Sequence, residues 1–225
     1  MKLCVALDMS NLKECLKLAN IIKDYDLWVK IGMRSFYRDG IKLIKELKEL
    51  KFKIFLDLKL YDIPNTMSKT CEELANLDID MINLHASAGK SALKECMKSL
   101  NNLAKRPLVL GVSALTSFDE VEFYEVYKQN INEAIISFSK LCYESGLDGM
   151  VCSAWESKII KENTKNDFVT LCPGIRPYNE AQNDQKRIAN IQDAKNNLAD
   201  FIVIGRPIYT AKNPKAIINQ ILKDI

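Results

Sequence analysis

The chain has 225 residues, of which 48% are apolar and 27% are charged, proportions that are typical of a globular protein and exclude an intrinsically disordered one. The net charge is only +3. It therefore gives no reason to expect a nucleic-acid or membrane-surface protein, which usually carries a clustered basic face. The single histidine, His85, excludes multi-histidine metal sites.

The cysteines and the N-terminus indicate the compartment. Seven cysteines, an odd number with no C-x-x-C pair, argue against a disulfide framework or zinc site and predict reduced thiols that act as small apolar residues. The first apolar stretch ends at Asp8 and is too short for a signal-peptide core. No apolar run approaches the ~20 residues of a membrane span. We expect a soluble, cytoplasmic protein.

Eight short apolar runs alternate along the chain with longer amphipathic stretches. Because the runs lack polar alternation, they predict parallel strands buried on both faces. The predicted strands cover residues 3–7, 27–31, 54–58, 81–84, 108–112, 149–152, 169–172 and 201–204. Apolar residues spaced three and four apart predict helices over 11–23, 41–50 and 131–143, and the longer connection 117–130 is expected to be partly helical.

This alternation predicts the fold. Eight strand-plus-helix units of about 28 residues each have the size of compact βα repeats. They favour an α/β protein of the (β/α)₈ TIM-barrel type, with residues 1–225 forming a single domain. An open doubly wound sheet is the alternative, but no G-x-G-x-x-G follows the first strand. Trp28 and Trp155 lie in apolar surroundings and are expected in the core.

Charged residues gather where the first three predicted strands end. They are Asp8, Lys30, Asp57, Lys59 and Asp62. In a barrel, catalytic groups lie at these carboxyl ends. Asp57 and Lys59 are two residues apart, so both point into the barrel mouth if Leu58 packs outward. Ordinary rim ion pairs are the alternative. Because burying ions costs several kcal/mol each unless they are paired, five charges at successive strand ends favour a functional site.

Lys59 suits one kind of chemistry better than another. Nearby carboxylates favour the ammonium form of a lysine. A Schiff-base lysine must lose its proton, so the pattern disfavours an imine-forming aldolase. An ammonium ion is instead suited to stabilising and protonating a carbanion.

The last two strands are followed by candidate phosphate ligands. Gly205 and Arg206 come after the eighth strand, and Pro207 suits the first turn of a helix. Helix amides together with a guanidinium fit a phosphate dianion, which barrels commonly bind at this point. Arg176, after the seventh strand, is expected to reach the same group. Plain turn glycines are the alternative. His85 has no nucleophile beside it and is expected to be a hydrogen-bonded core or rim residue.

Residues 57–66, DLKLYDIPNT, closely resemble the signature of the orotidine 5′-phosphate decarboxylase family. Further matches run in order along the chain: ALD at 6–8, VKIG at 29–32, HA at 85–86, LTS at 115–117, PGIRP at 173–177, DQ at 184–185 and IGRP at 204–207. The D-x-K-x-x-D core is shared with sugar-phosphate decarboxylases and synthases, whereas IPNT and PGIR are more specific. Tyr61 stands where the family usually has histidine.

The resemblance implies decarboxylation of orotidine 5′-monophosphate to uridine 5′-monophosphate and CO₂ in de novo pyrimidine synthesis, by a homodimer that uses no metal or cofactor. It implies that Lys59 donates a proton to ring C6. Asp57 and Asp62 of the partner subunit would flank Lys59, and Lys30 would join the same charge network.

The resemblance also implies which residues bind the nucleotide. Lys30 and Asp8 would contact the ribose, Asp57 would lie beside the substrate carboxylate, and Thr116 and Thr66 of the partner subunit would contact substrate. The phosphate would be held by Arg176, Gln185, Gly205 and Arg206. Residues 175–185 would close as a lid.

Three alternatives remain open from the sequence. A sister enzyme would decarboxylate a phosphorylated keto-sugar acid and depend on a metal ion. Another phosphate-handling barrel, such as an isomerase of amino acid biosynthesis, would not need the Asp57, Lys59 and Asp62 array. A non-catalytic sensor would bind a phosphorylated ligand without turnover.

Overall fold

The structure, a computed structural model that describes residues 1–178 and 186–225, is built on a closed barrel of eight parallel strands. The strands are β1 (Lys2–Ala6), β2 (Trp28–Gly32), β3 (Lys53–Leu60), β4 (Met81–His85), β5 (Leu108–Val112), β6 (Gly149–Val151), β7 (Val169–Cys172) and β8 (Phe201–Ile204). Each strand pairs with the next, and β8 pairs with β1 to close the barrel. The predicted barrel is confirmed, and the open sheet is wrong.

Helices cover the outside of the barrel between the strands. They are α1 (Leu12–Ile22), α2 (Met33–Glu49), α3 (Pro64–Ala75), α4 (Gly89–Asn101), α5 (Glu120–Tyr127), α6 (Ile131–Glu144), α7 (Ser157–Asn163), α8 (Ile191–Asn196), α9 (Arg206–Tyr209) and α10 (Pro214–Asp224). The helices predicted over 11–23 and 131–143 are confirmed, and α5 supplies the helical part of 117–130. Among the described residues, no helix is both long and apolar enough to cross a membrane.

The helix predicted over 41–50 is the second half of a longer one. Gly40 interrupts α2 with φ 55° and ψ −142°, a conformation that glycine adopts without steric cost. In this half Leu43, Ile44 and Leu47 are buried, whereas Ile41 is 47% exposed.

Apolar side chains form one layer inside the barrel and another between the barrel and the helices. The inner layer is Cys4, Ala6, Trp28, Phe55, Met81, Leu110, Val112, Val151, Leu171, Phe201 and Val203. These residues alternate along the strands with members of the outer layer such as Val5 and Ile54, as strand geometry requires. All seven cysteines are buried and free, as predicted.

Only one of the two tryptophans lies in the core. Trp28 is buried and packs edge-to-face on Phe201 inside the barrel. Trp155 is 53% exposed, and its indole N–H donates to the carbonyl of Ile188. The prediction for Trp155 was wrong because this residue follows β6 in a short 3₁₀ turn at the rim, where its apolar sequence neighbours do not enclose it.

Three aspartates brace the amino-terminal end of the barrel in the same way. Asp80, Asp148 and Asp200 directly precede β4, β6 and β8. Asp80 accepts the backbone N–H of Ile54 at 2.8 Å and pairs with Lys48. Asp148 accepts that of Val109 at 2.7 Å and pairs with Arg106. Asp200 accepts that of Thr170 at 2.8 Å and pairs with Lys161. Each carboxylate therefore joins two neighbouring strands and a cation, which assigns this end of the barrel to stability.

Candidate active site

A cavity of about 350 Å³ opens at the carboxyl ends of the strands. Inner-layer side chains such as Phe55 and Leu171 form its apolar floor. Its charged wall consists of Asp8, Lys30, Asp57, Lys59, Arg176 and Arg206. The structure therefore brings together most of the charged residues that the sequence singled out.

Four of these side chains form a row of alternating charge. Lys30 Nζ lies 3.3 Å from both oxygens of Asp8 and 3.3 Å from Oδ2 of Asp57. Lys59 Nζ donates to Oδ1 of Asp57 at 2.6 Å. Leu58 packs against the outer layer, so the expected inward direction of Asp57 and Lys59 is confirmed.

The two central side chains of the row, Lys30 and Asp57, are largely buried, and the charges of the row stabilise one another. Burial opposes the charged form of Lys30, but attraction to Asp57 and then Asp8 outweighs this effect and raises the Lys30 pKa. Burial likewise opposes ionisation of Asp57. Lys30 and Lys59, with hydrogen bonds from Lys59 and Asn83, overcome it and lower the Asp57 pKa to about 2. Asp57 is therefore a carboxylate at neutral pH.

The strand that carries Lys59 is irregular at this residue. Leu56 pairs with Ile82 and Leu60 with Leu84, so β3 contains two more residues than β4 between these pairs. Lys59 has a left-handed backbone with φ 51°, which costs a non-glycine residue of order 1–3 kcal/mol. Its backbone N–H donates to the side chain of Asn83 at 2.7 Å. The bulge places the Lys59 side chain over Asp57.

Gly32 leaves room for the first ion pair of the row. A Cβ at this position would lie 2.9 Å from Asp8 Oδ1 and 3.1 Å from Lys30 Nζ. Gly32 pairs with Asp57 in the sheet, so the side chain of any larger residue here would press against the Asp8–Lys30 ion pair of the charged row. The match at 29–32 included this glycine, but its contribution to the site depends on contacts that the sequence does not reveal.

The predicted phosphate ligands line the same cavity as the charged row. Arg176 and Thr116 are buried there, and Gly205 and Arg206 line it as well. Gly205 is the residue that precedes α9, with Pro207 in the first turn as predicted. Gln185 lies outside the described residues.

Asp62 and Thr66 are not brought into the cavity by this chain. Both are exposed at the start of α3. Asp62 Oδ1 accepts the backbone N–H of Ile63 at 2.7 Å, and the Thr66 carbonyl accepts the hydroxyl of Thr70. Among the described residues of a single chain, neither joins the row of charges.

His85 is a rim residue that accepts a hydrogen bond, as expected. Its Nδ1 accepts the backbone N–H of Ser87, and its ring stacks on Tyr61 at 5.4 Å between centroids. Burial, followed by the charge of Lys59, lowers the His85 pKa. A neutral imidazole is therefore favoured beside the row.

Sequence reasoning missed Asn83 and the pair formed by Arg187 and Glu156. Arg187 donates to the carbonyls of Ala114 and Leu115 at 3.0 and 3.1 Å and pairs with the buried Glu156. Its backbone N–H also donates to the Thr116 carbonyl. Arg187 thus fixes the loop after β5 that carries Thr116 into the cavity. For Asn83 the available sequence signal was a polar residue inside an apolar strand. For Arg187 the neighbouring sequence gives no indication of which residues it contacts.

The arrangement is suited to stabilising a carbanion beside a bound anion. It offers a fixed ammonium, a fixed carboxylate and two guanidinium groups around an apolar floor. Among the described residues, no group of three or more His, Cys, Asp or Glu side chains is placed to hold a metal ion.

Comparison with known proteins gives a consistent result along the whole chain. Residues 1–221 match the model of the "Orotidine 5'-phosphate decarboxylase / HUMPS family". Curated proteins named orotidine 5′-phosphate decarboxylase from Campylobacter lari and Campylobacter jejuni are 63% and 60% identical, each alignment covering 100% of both chains. The crystal structure of orotidine 5′-phosphate decarboxylase from Lactobacillus acidophilus superposes with a TM-score of 0.86 at 35% identity, covering 99% of this chain and 98% of the other.

Proposed function

The chain belongs to the orotidine 5′-phosphate decarboxylase / HUMPS family, and from this premise we propose how its residues carry out the reaction. It is a carboxy-lyase of pyrimidine biosynthesis that converts orotidine 5′-monophosphate to uridine 5′-monophosphate and CO₂. The reading as a decarboxylase of a phosphorylated keto-sugar acid is not supported, since the full-length relatives are named for the nucleotide reaction.

The observation that carries the proposed mechanism is the 2.6 Å contact between Lys59 Nζ and Asp57 within the buried row of charges. Loss of CO₂ from the pyrimidine ring leaves an electron pair on C6, and no cofactor is proposed to accept it. The Lys59 ammonium stabilises this charge and donates its proton to C6. The electron pair thereby forms the C6–H bond of the product.

Asp57 has two proposed effects on the reaction. Its carboxylate holds Lys59 in place before substrate arrives. Because Asp57 is ionised, it also lies as a negative charge beside the substrate carboxylate, and this repulsion is relieved as CO₂ leaves. Lys30 pairs with both Asp57 and Asp8, so its positive charge balances the negative charges on either side of it. Lys30 and Asp8 together are proposed to bind the ribose.

The phosphate end of the nucleotide is proposed to bind Arg176, Gln185, Gly205 and Arg206, with Thr116 contacting substrate between the two ends. Contacts to the phosphate are remote from C6, so their binding energy is available to order the site around the reacting carbon. Residues 175–185 are proposed as the lid. Arg176 N–H donates to the Ala189 carbonyl and Ala189 N–H to the Gly174 carbonyl, so the chain at the start of this loop is tied to Ala189.

We further propose a homodimer in which Asp62 and Thr66 of the partner subunit complete each site. Both residues are exposed beside two large apolar side chains, Tyr61 and Ile63, each 65% exposed. Exposed apolar groups next to functional polar ones are typical of a subunit interface. Such a dimer would be a cytoplasmic enzyme in which residues 1–225 form one catalytic domain.

A direct assay tests the proposed function. The purified chain is incubated with orotidine 5′-monophosphate in EDTA, and loss of ring absorbance and formation of uridine 5′-monophosphate are followed. Full turnover in EDTA supports the cofactor-free mechanism. Loss of turnover that is restored by magnesium would overturn it, because carboxylates can hold that ion. Binding of the nucleotide without any turnover would indicate a sensor instead.

A further inference from the structure

Asn83 is a buried polar residue directly beneath the row of charges. It is 1% exposed and lies on the inner side of β4, between Met81 and His85. It is not among the residues that line the cavity. A buried amide that is not paired is costly, which makes its partners informative about why it is there.

Both polar atoms of the Asn83 amide form hydrogen bonds to the catalytic pair, Lys59 and Asp57. Oδ1 accepts the backbone N–H of Lys59 at 2.7 Å, and Nδ2 donates to Oδ1 of Asp57 at 2.8 Å. A backbone N–H can only donate and a carboxylate can only accept, so these two partners fix the orientation of the amide. The same Asp57 oxygen also accepts the ammonium of Lys59.

The hydrogen bond from the Lys59 N–H to Asn83 takes the place of a backbone hydrogen bond that the sheet does not supply at this residue. Lys59 lies in the irregular part of β3, between the pairs Leu56 with Ile82 and Leu60 with Leu84. Its left-handed backbone points the N–H at the Asn83 side chain. The amide therefore holds the bend that aims the Lys59 side chain at Asp57, and it holds the Asp57 carboxylate as well.

We propose that Asn83 is a positioning residue of the decarboxylation, which fixes the backbone of Lys59 and the carboxylate of Asp57 relative to each other. The inference rests on the roles proposed above for Lys59 and Asp57. Catalysis by a fixed ammonium depends on groups that do not reorganise during the reaction, and displacement by about 1 Å can cost about 100-fold in rate. Asn83 is thus expected to affect kcat much more than substrate binding.

Asn83→Leu tests this inference because it keeps a side chain of similar size and removes both hydrogen bonds. We expect kcat to fall by about 100-fold while KM stays within about threefold. Thr170→Val is the matched control, since Thr170 is a fully buried residue of β7 whose hydroxyl bonds to Ser157 and Asp200 away from the cavity. It should lower thermal stability without changing kcat. A folded Asn83→Leu enzyme with wild-type kcat would overturn the inference.

Asn83→Asp gives a second readout that a merely structural role would not change. This variant keeps an acceptor for the Lys59 N–H but places a carboxylate against Asp57. Two facing carboxylates raise the pKa of one of them, so the pair holds a proton to higher pH. The apparent pKa of the acid limb of the kcat/KM profile should therefore be more than about one pH unit higher than in the wild type.

The other charged or titratable groups near Asp57 and Lys59 are the same in the wild type and in Asn83→Asp. They are Cys4 and Asp8 from β1 and its following loop, Lys30 from β2, Lys59 from β3 and His85 from β4. A difference between the two profiles therefore reports the new carboxylate. If Asn83→Leu does not fold, this nearly isosteric variant decides, and a wild-type kcat together with a superimposable pH profile would overturn the inference.

Lys59→Ala separates this inference from the function on which it rests. If Lys59→Ala keeps its activity, the proposed mechanism fails. If Lys59→Ala is inactive while both Asn83 variants match the wild type in kcat and in pH profile, the mechanism stands and only the role of Asn83 is overturned.

Discussion

The ammonium nitrogen of Lys59 lies 2.6 Å from Oδ1 of Asp57, and Lys59 itself has a left-handed backbone in the strand that carries both residues. The other oxygen of Asp57 lies 3.3 Å from Lys30. One carboxylate is thus held between two cations before any substrate is present.

Replacing Lys59 should remove the reaction and leave the fold intact. Lys59→Ala is expected to lower kcat/KM by more than about 100-fold, a loss above ~3 kcal/mol, because the product carbon loses its proton donor. Lys53→Ala is the control, since Lys53 lies on the same strand at the amino-terminal end and its only ion pair in the described structure is to Asp26. Retention of more than about one per cent of activity by Lys59→Ala would contradict the assigned role.

Replacing Arg206 should weaken capture of the phosphorylated substrate. Arg206→Ala is expected to raise KM for orotidine 5′-monophosphate and lower kcat/KM, because a guanidinium contact to the phosphate dianion is lost. Orotidine without its phosphate serves as an internal control. Mutant and wild type should process it almost equally, since it lacks the group that Arg206 holds. If both substrates are affected alike, Arg206 has a structural or chemical role instead.

Mixing two inactive variants should restore activity if the site is shared between subunits. Lys59→Ala and Asp62→Ala homodimers should each be nearly inactive. In a mixed dimer one site carries both substitutions and the other carries neither, so random exchange restores about a quarter of all sites. Activity is measured before and after exchange, which mass-tagged subunits verify. No recovery despite exchange would place Asp62 in its own chain's site or outside the site, without affecting the decarboxylase assignment.

Removing one of the braces at the amino-terminal end should reduce stability and not catalysis. Asp148 accepts two bonds from Arg106, at 2.6 and 2.9 Å, and the backbone N–H of Val109 at 2.7 Å. Asp148→Ala leaves these donors unpaired, at a cost of about 2–4 kcal/mol. The Tm should then fall by roughly 5–15 °C for a chain of this length.

The matched control for Asp148 is Asp167→Ala. Asp167 is largely exposed and lies 3.8 Å from Lys165, and such surface pairs contribute little. Its Tm should stay within about 2 °C of the wild type. Both variants should keep wild-type kcat/KM at temperatures where they are folded. A loss of activity in folded Asp148→Ala would contradict the division of the barrel into a stabilising end and a catalytic end.

The sequence alone determined the architecture and most of the charged row. Parallel barrel strands are buried on both faces, so they remain visible as uninterrupted apolar runs, and three of the eight predicted strands have the observed bounds. The spacing of two residues predicted that Asp57 and Lys59 share one side of the strand, and they do line the same cavity. Their 2.6 Å contact also depends on the bulge at Lys59, which the spacing does not reveal.

The tertiary structure alone decided which distant residues support that row. Asn83 contacts Asp57 and Lys59 across 26 and 24 positions of sequence, and Gly32 leaves space for the pair formed by Lys30 of its own strand and Asp8 after β1. Trp155 is exposed although its neighbours in sequence are apolar. These outcomes depend on strand register, on the bulge at Lys59 and on the closure of the barrel. All three are set by packing between elements, and no local pattern of residues records them.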